Sequence, residues 1–190
     1  MKSAHQVVKD LPVYRERPLP TGQLQGRFWI SEQIIGETQS VLQKFALAGI
    51  RDGGHEGMAF WGGRSIGSET FLMQVIVPDA DHSRQRVHSS KEAVAAAARI
   101  ARKYSMGILC QVHSHPGSDT RHSDGDDELV LLPFEGMLSI VVPHFGIGFR
   151  ALDQCSVHQF QEQAWVLCDP VSVRAGITLI PTGVNLCESL

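Results

Sequence analysis

KEAVAAAARIARKYSMGILCQVHSHP, residues 91–116, changes its period halfway along. The first half is built of strong helix formers with no Gly or Pro, so it predicts a helix. Ser89-Ser90-Lys91-Glu92 fits a capping box at its start, and Gly107 ends it. The second half, ILCQVHSH, is apolar and partly β-branched, and Pro116 stops it. That pattern predicts a strand. A helix feeding an apolar strand points to a sheet with helices packed on it.

The segments on either side extend the same pattern. GRFWIS (26–31) reads as a short strand entering a helix, with Ser31 as N-cap of SEQIIGETQSVLQKFALAG. Ile34, Ile35, Thr38, Val41, Leu42, Phe45 and Ala46 share one helical face, and Gly49 is a C-cap. MAFWGG (58–63) predicts a strand ending in a turn, and GSETFLMQVIVPD (67–79) a second strand stopped by Pro78. Downstream, LSIVVPHFGIGFRAL holds one or two strands. SVHQFQ and AWVLCD read as a closing hairpin. The expected fold is a mixed, curved β-sheet flanked by helices in a single α/β domain.

The chain has 190 residues, of which 43% are hydrophobic and 19% charged, enough for one domain with a real core. A net charge of −3 with no basic block argues against nucleic acid as a partner, because phosphate contacts need clustered Lys and Arg. Cys110, Cys155, Cys168 and Cys187 form no C-x-x-C pair and read as reduced thiols. The first twenty residues lack the apolar run of a signal peptide, and no stretch approaches the length of a membrane span. A cytoplasmic protein is expected. Residues 1–27 read as an extension and 28–170 as the domain. Residues 171–190 read as a tail that adds a strand or docks. There is no internal repeat.

The chemistry gathers at QVHSHPGSDTRHSDGDD, residues 111–127. Side chains two apart on a strand share a face, so His113 and His115 can reach one point. Two imidazoles and a loop carboxylate suit a divalent cation, and a catalytic zinc takes three protein ligands. Asp119, Asp124, Asp126 and Asp127 are the candidates, and spacing alone does not choose among them. Ser114 faces away and reads as a core hydrogen-bonder. His122 reads as an exposed loop residue or a cleft lining. His144 and His158 read as strand-end histidines. Cys110, three residues from His113, reads as core. Phe60 and Trp61 read as packing, or as aromatics beside the substrate.

His113-Ser114-His115-Pro116, six residues, then Ser123-x-x-Asp126 resembles the signature of the JAMM (JAB/MPN) zinc metalloproteases. The family's upstream Glu at the head of a glycine-bearing apolar strand is matched by Glu56 in HEGMAFWGG, where Met58 replaces the second glycine of the usual pair. The resemblance extends in element order over about residues 28–165. It implies the MPN/JAB, cytidine deaminase-like architecture, with His113, His115 and Asp126 as Zn(II) ligands. Glu56 would be the general base and then acid, and the Ser123 hydroxyl would donate to the oxyanion. It also implies hydrolysis after the tail of a ubiquitin-like protein, that tail lying as an added strand beside the sheet. The compact chain resembles the stand-alone prokaryotic type, which travels with operon-encoded activating and conjugating enzymes, some serving in antiphage defence. Two alternatives remain: a catalytically silent scaffold of the same fold, and another metallohydrolase using HxH, such as a phosphoesterase or amidohydrolase.

Overall fold

The computed structural model describes residues 19–123, 126 and 133–181. Asp124, Asp127 and the rest of DELVLLP before Pro133, Cys187, residues 1–18 of the expected N-terminal extension and residues 182–190 of the expected tail lie outside the described residues.

Eleven strands and three helices are described. Chain order begins with β1 (Thr21–Gly22), β2 (Arg27–Ser31), α1 (Glu32–Ala48), β3 (Met58–Ile66) and β4 (Glu69–Ile76). A small hairpin follows, β5 (Asp81–Ser83) and β6 (Arg86–His88), then α2 (Lys91–Lys103), β7 (Gly107–Ser114) and β8 (Leu138–Val142). β9 (Ser156–Gln161), β10 (Ala164–Cys168), α3 (Pro170–Gly176) and β11 (Ile177–Ile180) close it. Nine strands form one mixed sheet in the order β1-β10-β9-β8-β7-β3-β4-β2-β11, and β5-β6 form a separate pair. β7 lies in the interior, antiparallel to β3 and parallel to β8.

Local chemistry sets the helix starts. Ser31 caps α1 by accepting from the Gln33 amide at 3.2 Å. Its buried stripe is Ile34, Ile35, Thr38 and Leu42, the centre of the expected face. α2 begins one residue later than a cap at Ser89 would place it. Ser90 accepts from the Ala93 amide, while the Ser89 hydroxyl donates to the Asp79 carbonyl. α2 ends at Lys103, and Gly107 instead opens β7. The expected closing hairpin is present as β9 and β10 in antiparallel register.

Two departures have clear causes. MAFWGG does not turn at its glycines. β3 runs on to Ile66 with its register shifted on both neighbours near Gly62, and a Cβ at Gly63 would lie 2.0 Å from the Phe71 carbonyl oxygen. The glycines make a bulge and let β4 approach, so here they do not punctuate. The sequence reading also has no α3 and no β5-β6, both too short to show a period. α3 is nonetheless capped by Asp169, which accepts from Val171 and Ser172, with Pro170 at its first position. β1 pairs with β10 and β11 with β2, so the sheet draws in residues outside 28–170 on both sides.

Hydrophobic burial occupies both faces. Ile34, Ile35 and Leu42 of α1 pack with Trp61, Cys110, Val112 and Ile140. Trp61 Nε1 donates to Thr38 Oγ1 at 2.8 Å, so neither buried polar group is orphaned. On the opposite face Met58 and Phe60 pack with Ala97 and Ala101 of α2. His113 pairs with Met58, and so belongs to this second face. Cys110 and Trp61 are core, as expected. No helix among the described residues is long and apolar enough to cross a membrane.

Candidate metal centre

β7 brings the histidines to its C-terminal end, inside the sheet, where its neighbours hold it on both sides. His113 is 1% exposed. The chain beyond β7 is tied down by backbone bonds: His115 N–H donates to Val142 O, and Phe145 N–H donates to His115 O. A further bond runs from His144 N–H to Gly117 O. His144, expected as a strand-end residue, is exposed and sits at φ 54° in the tight turn after β8.

Three donor groups converge. His113 Nε2 lies 3.0 Å from Asp126 Oδ1, His115 Nε2 lies 3.6 Å from Asp126 Oδ2, and the two Nε2 atoms are 3.3 Å apart. One ligand atom from each residue lies within 4.8 Å of the others. His115 Nδ1 is 2.8 Å from the Asp119 carbonyl. A carbonyl only accepts, so that nitrogen carries the proton and Nε2 keeps its lone pair. Two ring nitrogens and a carboxylate oxygen facing one another fit a divalent cation at their centre. Of the four loop carboxylates, Asp119 turns its own to Arg121 in an exposed ion pair at 2.6 Å. Of the two that the structure describes, Asp126 is the one brought to the histidines.

Ser123 fixes Asp126. Its N–H and its hydroxyl both donate to Asp126 Oδ2, at 2.6 and 2.9 Å, and the Asp126 N–H returns a bond to Ser123 O at 3.1 Å. The hydroxyl has one proton, so donation to an oxyanion requires it to turn from Asp126.

Glu56 reaches the site from β3. Gly57 N–H donates to Ser114 Oγ and Ser114 N–H donates to Gly57 O, both at 3.0 Å. These bonds extend the pairing of Met58 with His113 and bring Glu56 towards His115. Ser114 is fully buried on the far face, as expected, and it carries this link. Glu56 is 7% exposed. Burial pushes its carboxyl up to about 8, the charge of His115 opposing and that of Asp126 reinforcing. Burial would also raise Asp126, but His113 and His115 hold it well below the usual carboxylate range. Burial lowers His113 despite Asp126. Burial pulls His115 down too, yet the hydrogen bond and charge of Asp126, with Glu56, leave it raised.

A polar layer beneath the site is absent from the sequence reading. Gln111, Ser139 and His158 stand in register across β7, β8 and β9. Gln111 Nε2 donates to Ser139 Oγ at 2.8 Å, and His122 Nε2 lies 2.9 Å from the same oxygen. His122 is therefore not an exposed loop residue. It is 2% exposed and stacks on His158 at 3.9 Å with Trp165 at its edge. The loop folds inward because a stacking ring and a hydroxyl await it. Burial, then His122 and His113, push His158 down to about 2. The two-residue alternation of Gln111 with His113 was the one available signal for this layer.

The probable metalloprotease y4jG of Sinorhizobium fredii (strain NBRC 101917 / NGR234) is 31% identical over 105 residues, 52% of this chain and 63% of that protein. The chain thus spans under two thirds of that relative's length. The solution structure of protein DSY2949 from Desulfitobacterium hafniense shares the fold. It has a TM-score of 0.59 and 17% identity, covering 81% of this chain and 93% of that one. Residues 38–160, well over half the chain and containing Glu56, His113, His115, Ser123 and Asp126 in this geometry, match the family described as prokaryotic homologs of the JAB domain, and the chain belongs to that family.

Proposed function

We propose that this chain is a zinc-dependent peptidase or isopeptidase that hydrolyses the amide bond after the C-terminal tail of a ubiquitin-like protein. The carrying observation is the convergence of His113, His115 and Asp126 with the buried Glu56 beside them. Tetrahedral zinc with bonds of about 2.0–2.1 Å puts its ligand atoms about 3.3 Å apart. The two imidazole nitrogens stand 3.3 Å apart, and His113 lies 3.0 Å from one Asp126 oxygen while His115 lies 3.6 Å from the other. The description of y4jG as a probable metalloprotease supports the same class.

A zinc ion held there would supply a Lewis acid that polarises the scissile carbonyl and acidifies water. The protein's own groups do the rest. Glu56 accepts the proton of the attacking water and passes it to the leaving amine. Its buried place beside the two histidines sets the carboxyl where it can move that proton in both directions. Ser123 holds Asp126 in the resting site, and turning its hydroxyl would give the developing oxyanion a donor.

The modifier tail would enter as an added strand. Among the described residues β3, β7 and β8 are interior to the large sheet, so the tail would add to the β5-β6 hairpin, which the Glu56 N–H joins by its bond to Ser83 O at 2.8 Å. Resemblance to the stand-alone prokaryotic members supports a cytoplasmic setting beside activating and conjugating enzymes, in an antiphage operon.

The test is cleavage of a fusion joining a ubiquitin-like tail to a fluorescent protein, by wild type and Glu56→Ala, with metal analysis of both. Both should carry one zinc per chain, and only wild type should cleave. Purification without stoichiometric metal would favour a silent scaffold. Turnover of a generic phosphodiester without peptide cleavage would favour another hydrolase.

A further inference from the structure

The segment that delivers Glu56 is held from outside the large sheet. Asp52–Glu56 leaves α1 and passes under the β5-β6 hairpin, where three bonds meet it. Arg84 Nη1 donates to Gly53 O, the Glu56 N–H donates to Ser83 O, and His55 Nδ1 lies 2.9 Å from His82 Nδ1. At that distance one imidazole must donate and the other accept. The other nitrogen of His55, Nε2, is 3.3 Å from Asp52 Oδ2. A neutral His55 whose Nε2–H donates to the carboxylate has its Nδ1 lone pair free, so His82 is the donor.

Both rings are seated by neighbours. Phe45 of α1 meets His82 edge-on at 4.9 Å. The His55 ring lies against Gly49, where an added Cβ would come within 2.0 Å of it. The residue joined covalently to Glu56 is thus clamped between the end of α1 and the hairpin. None of these groups belongs to the three-residue donor set of the metal centre.

We propose that His82 is a positioning residue for Glu56, acting through the His82 to His55 hydrogen bond and the Ser83 carbonyl beside it. Ser114 fixes Gly57 on one side of Glu56, and the hairpin fixes His55 and the Glu56 amide on the other. A carboxylate moving a proton must be placed to well within 1 Å, and a misplacement of that size costs on the order of 100-fold in rate. This inference rests on the reading of Glu56 as the proton carrier.

His82→Phe keeps a ring against Phe45 and removes the donor. His82→Asn puts an amide nitrogen close to where Nδ1 stands. With the zinc-loaded protein and the fluorescent fusion, His82→Phe should lower kcat on the order of 10- to 100-fold, leaving KM within about twofold and zinc content unchanged. His82→Asn should recover most of that loss. In the metal-free protein, the Glu56 amide should exchange with solvent about tenfold faster in His82→Phe, while amides of β7 keep their protection. The double variant with His55→Phe should lose no more kcat than the worse single variant. A His82→Phe protein with wild-type kcat and Glu56 exchange, alongside an inactive Glu56→Gln, overturns the positioning role and leaves the base assignment standing. An active Glu56→Gln overturns the base assignment itself. Uniform loss of protection across β7 would mean that His82 serves only general stability, and would also overturn the proposal.

Discussion

Removing Glu56's charge should stabilise the metal-free protein, and by more as the pH rises. The carboxyl ionises near its ordinary value of 4.5 when unfolded and at about 8 in the fold, because burial disfavours its charged form. Between those values the folded state binds a proton that the unfolded state does not, so stability falls as pH rises through the window. The full cost of ionising it in the fold is on the order of 5 kcal/mol, from about 1.4 kcal/mol per pH unit. Between pH 5.5 and 7.5 the linkage amounts to about 2.5 kcal/mol.

Glu56→Gln has no proton to lose, so its advantage over wild type should grow by about that amount across the interval. Urea unfolding in chelator at pH 5.5, 6.5 and 7.5, for both proteins, measures it. The lowered His113 and His158 are common to both and cancel in the difference. With zinc bound the divergence should shrink, since a cation at His113 and His115 favours the ionised carboxylate. Parallel pH profiles for the two metal-free proteins would refute the reasoning, because they would mean that Glu56 ionises normally and is hydrated.

Other substitutions probe separate parts of the site. Asp126→Asn should weaken zinc at least about 100-fold in competition with a chromophoric chelator, since it removes a ligand charge and the anchor of both Ser123 bonds; undiminished affinity would reassign the third ligand. Ser114→Ala leaves the buried Gly57 N–H unpaired and should cost about 1–3 kcal/mol by urea unfolding, with loss of activity at full zinc content. An active variant of unchanged stability would show that the Gly57 link is dispensable. His122→Ala opens a cavity between Ser139, His158 and Trp165, and should cost about 2–4 kcal/mol. A neutral substitution would return His122 to solvent.

The elements with a long period were legible. α1, α2 and the strands β3, β4 and β7 carry enough residues for helical or alternating burial to declare itself. The donor set was legible for a related reason: His113 and His115 are two apart on one strand, and the spacing from Pro116 to Ser123 and Asp126 fits a known motif. Short elements such as α3 and β5-β6 were not legible, because three to seven residues show no period and are held by tertiary partners. Glycine was misread at Gly62-Gly63 because the same residue that ends a strand also permits a bulge, and only the closeness of Phe71 decides between them.

By itself the sequence determined which residues could make a metal centre, because ligand chemistry resides in side-chain identity and a strand's alternation is local. It could not rank Asp126 above Asp119 by chemistry, since both are loop carboxylates. The fold does so by turning Asp119 to Arg121 and its carbonyl to His115, leaving Asp126 against the two imidazoles. The raised carboxyl of Glu56, the buried place of His122 and the grip of His82 on His55 were decided only in three dimensions. Each depends on groups from distant parts of the chain excluding water from one point, and desolvation is a property of that assembled volume rather than of any residue within it.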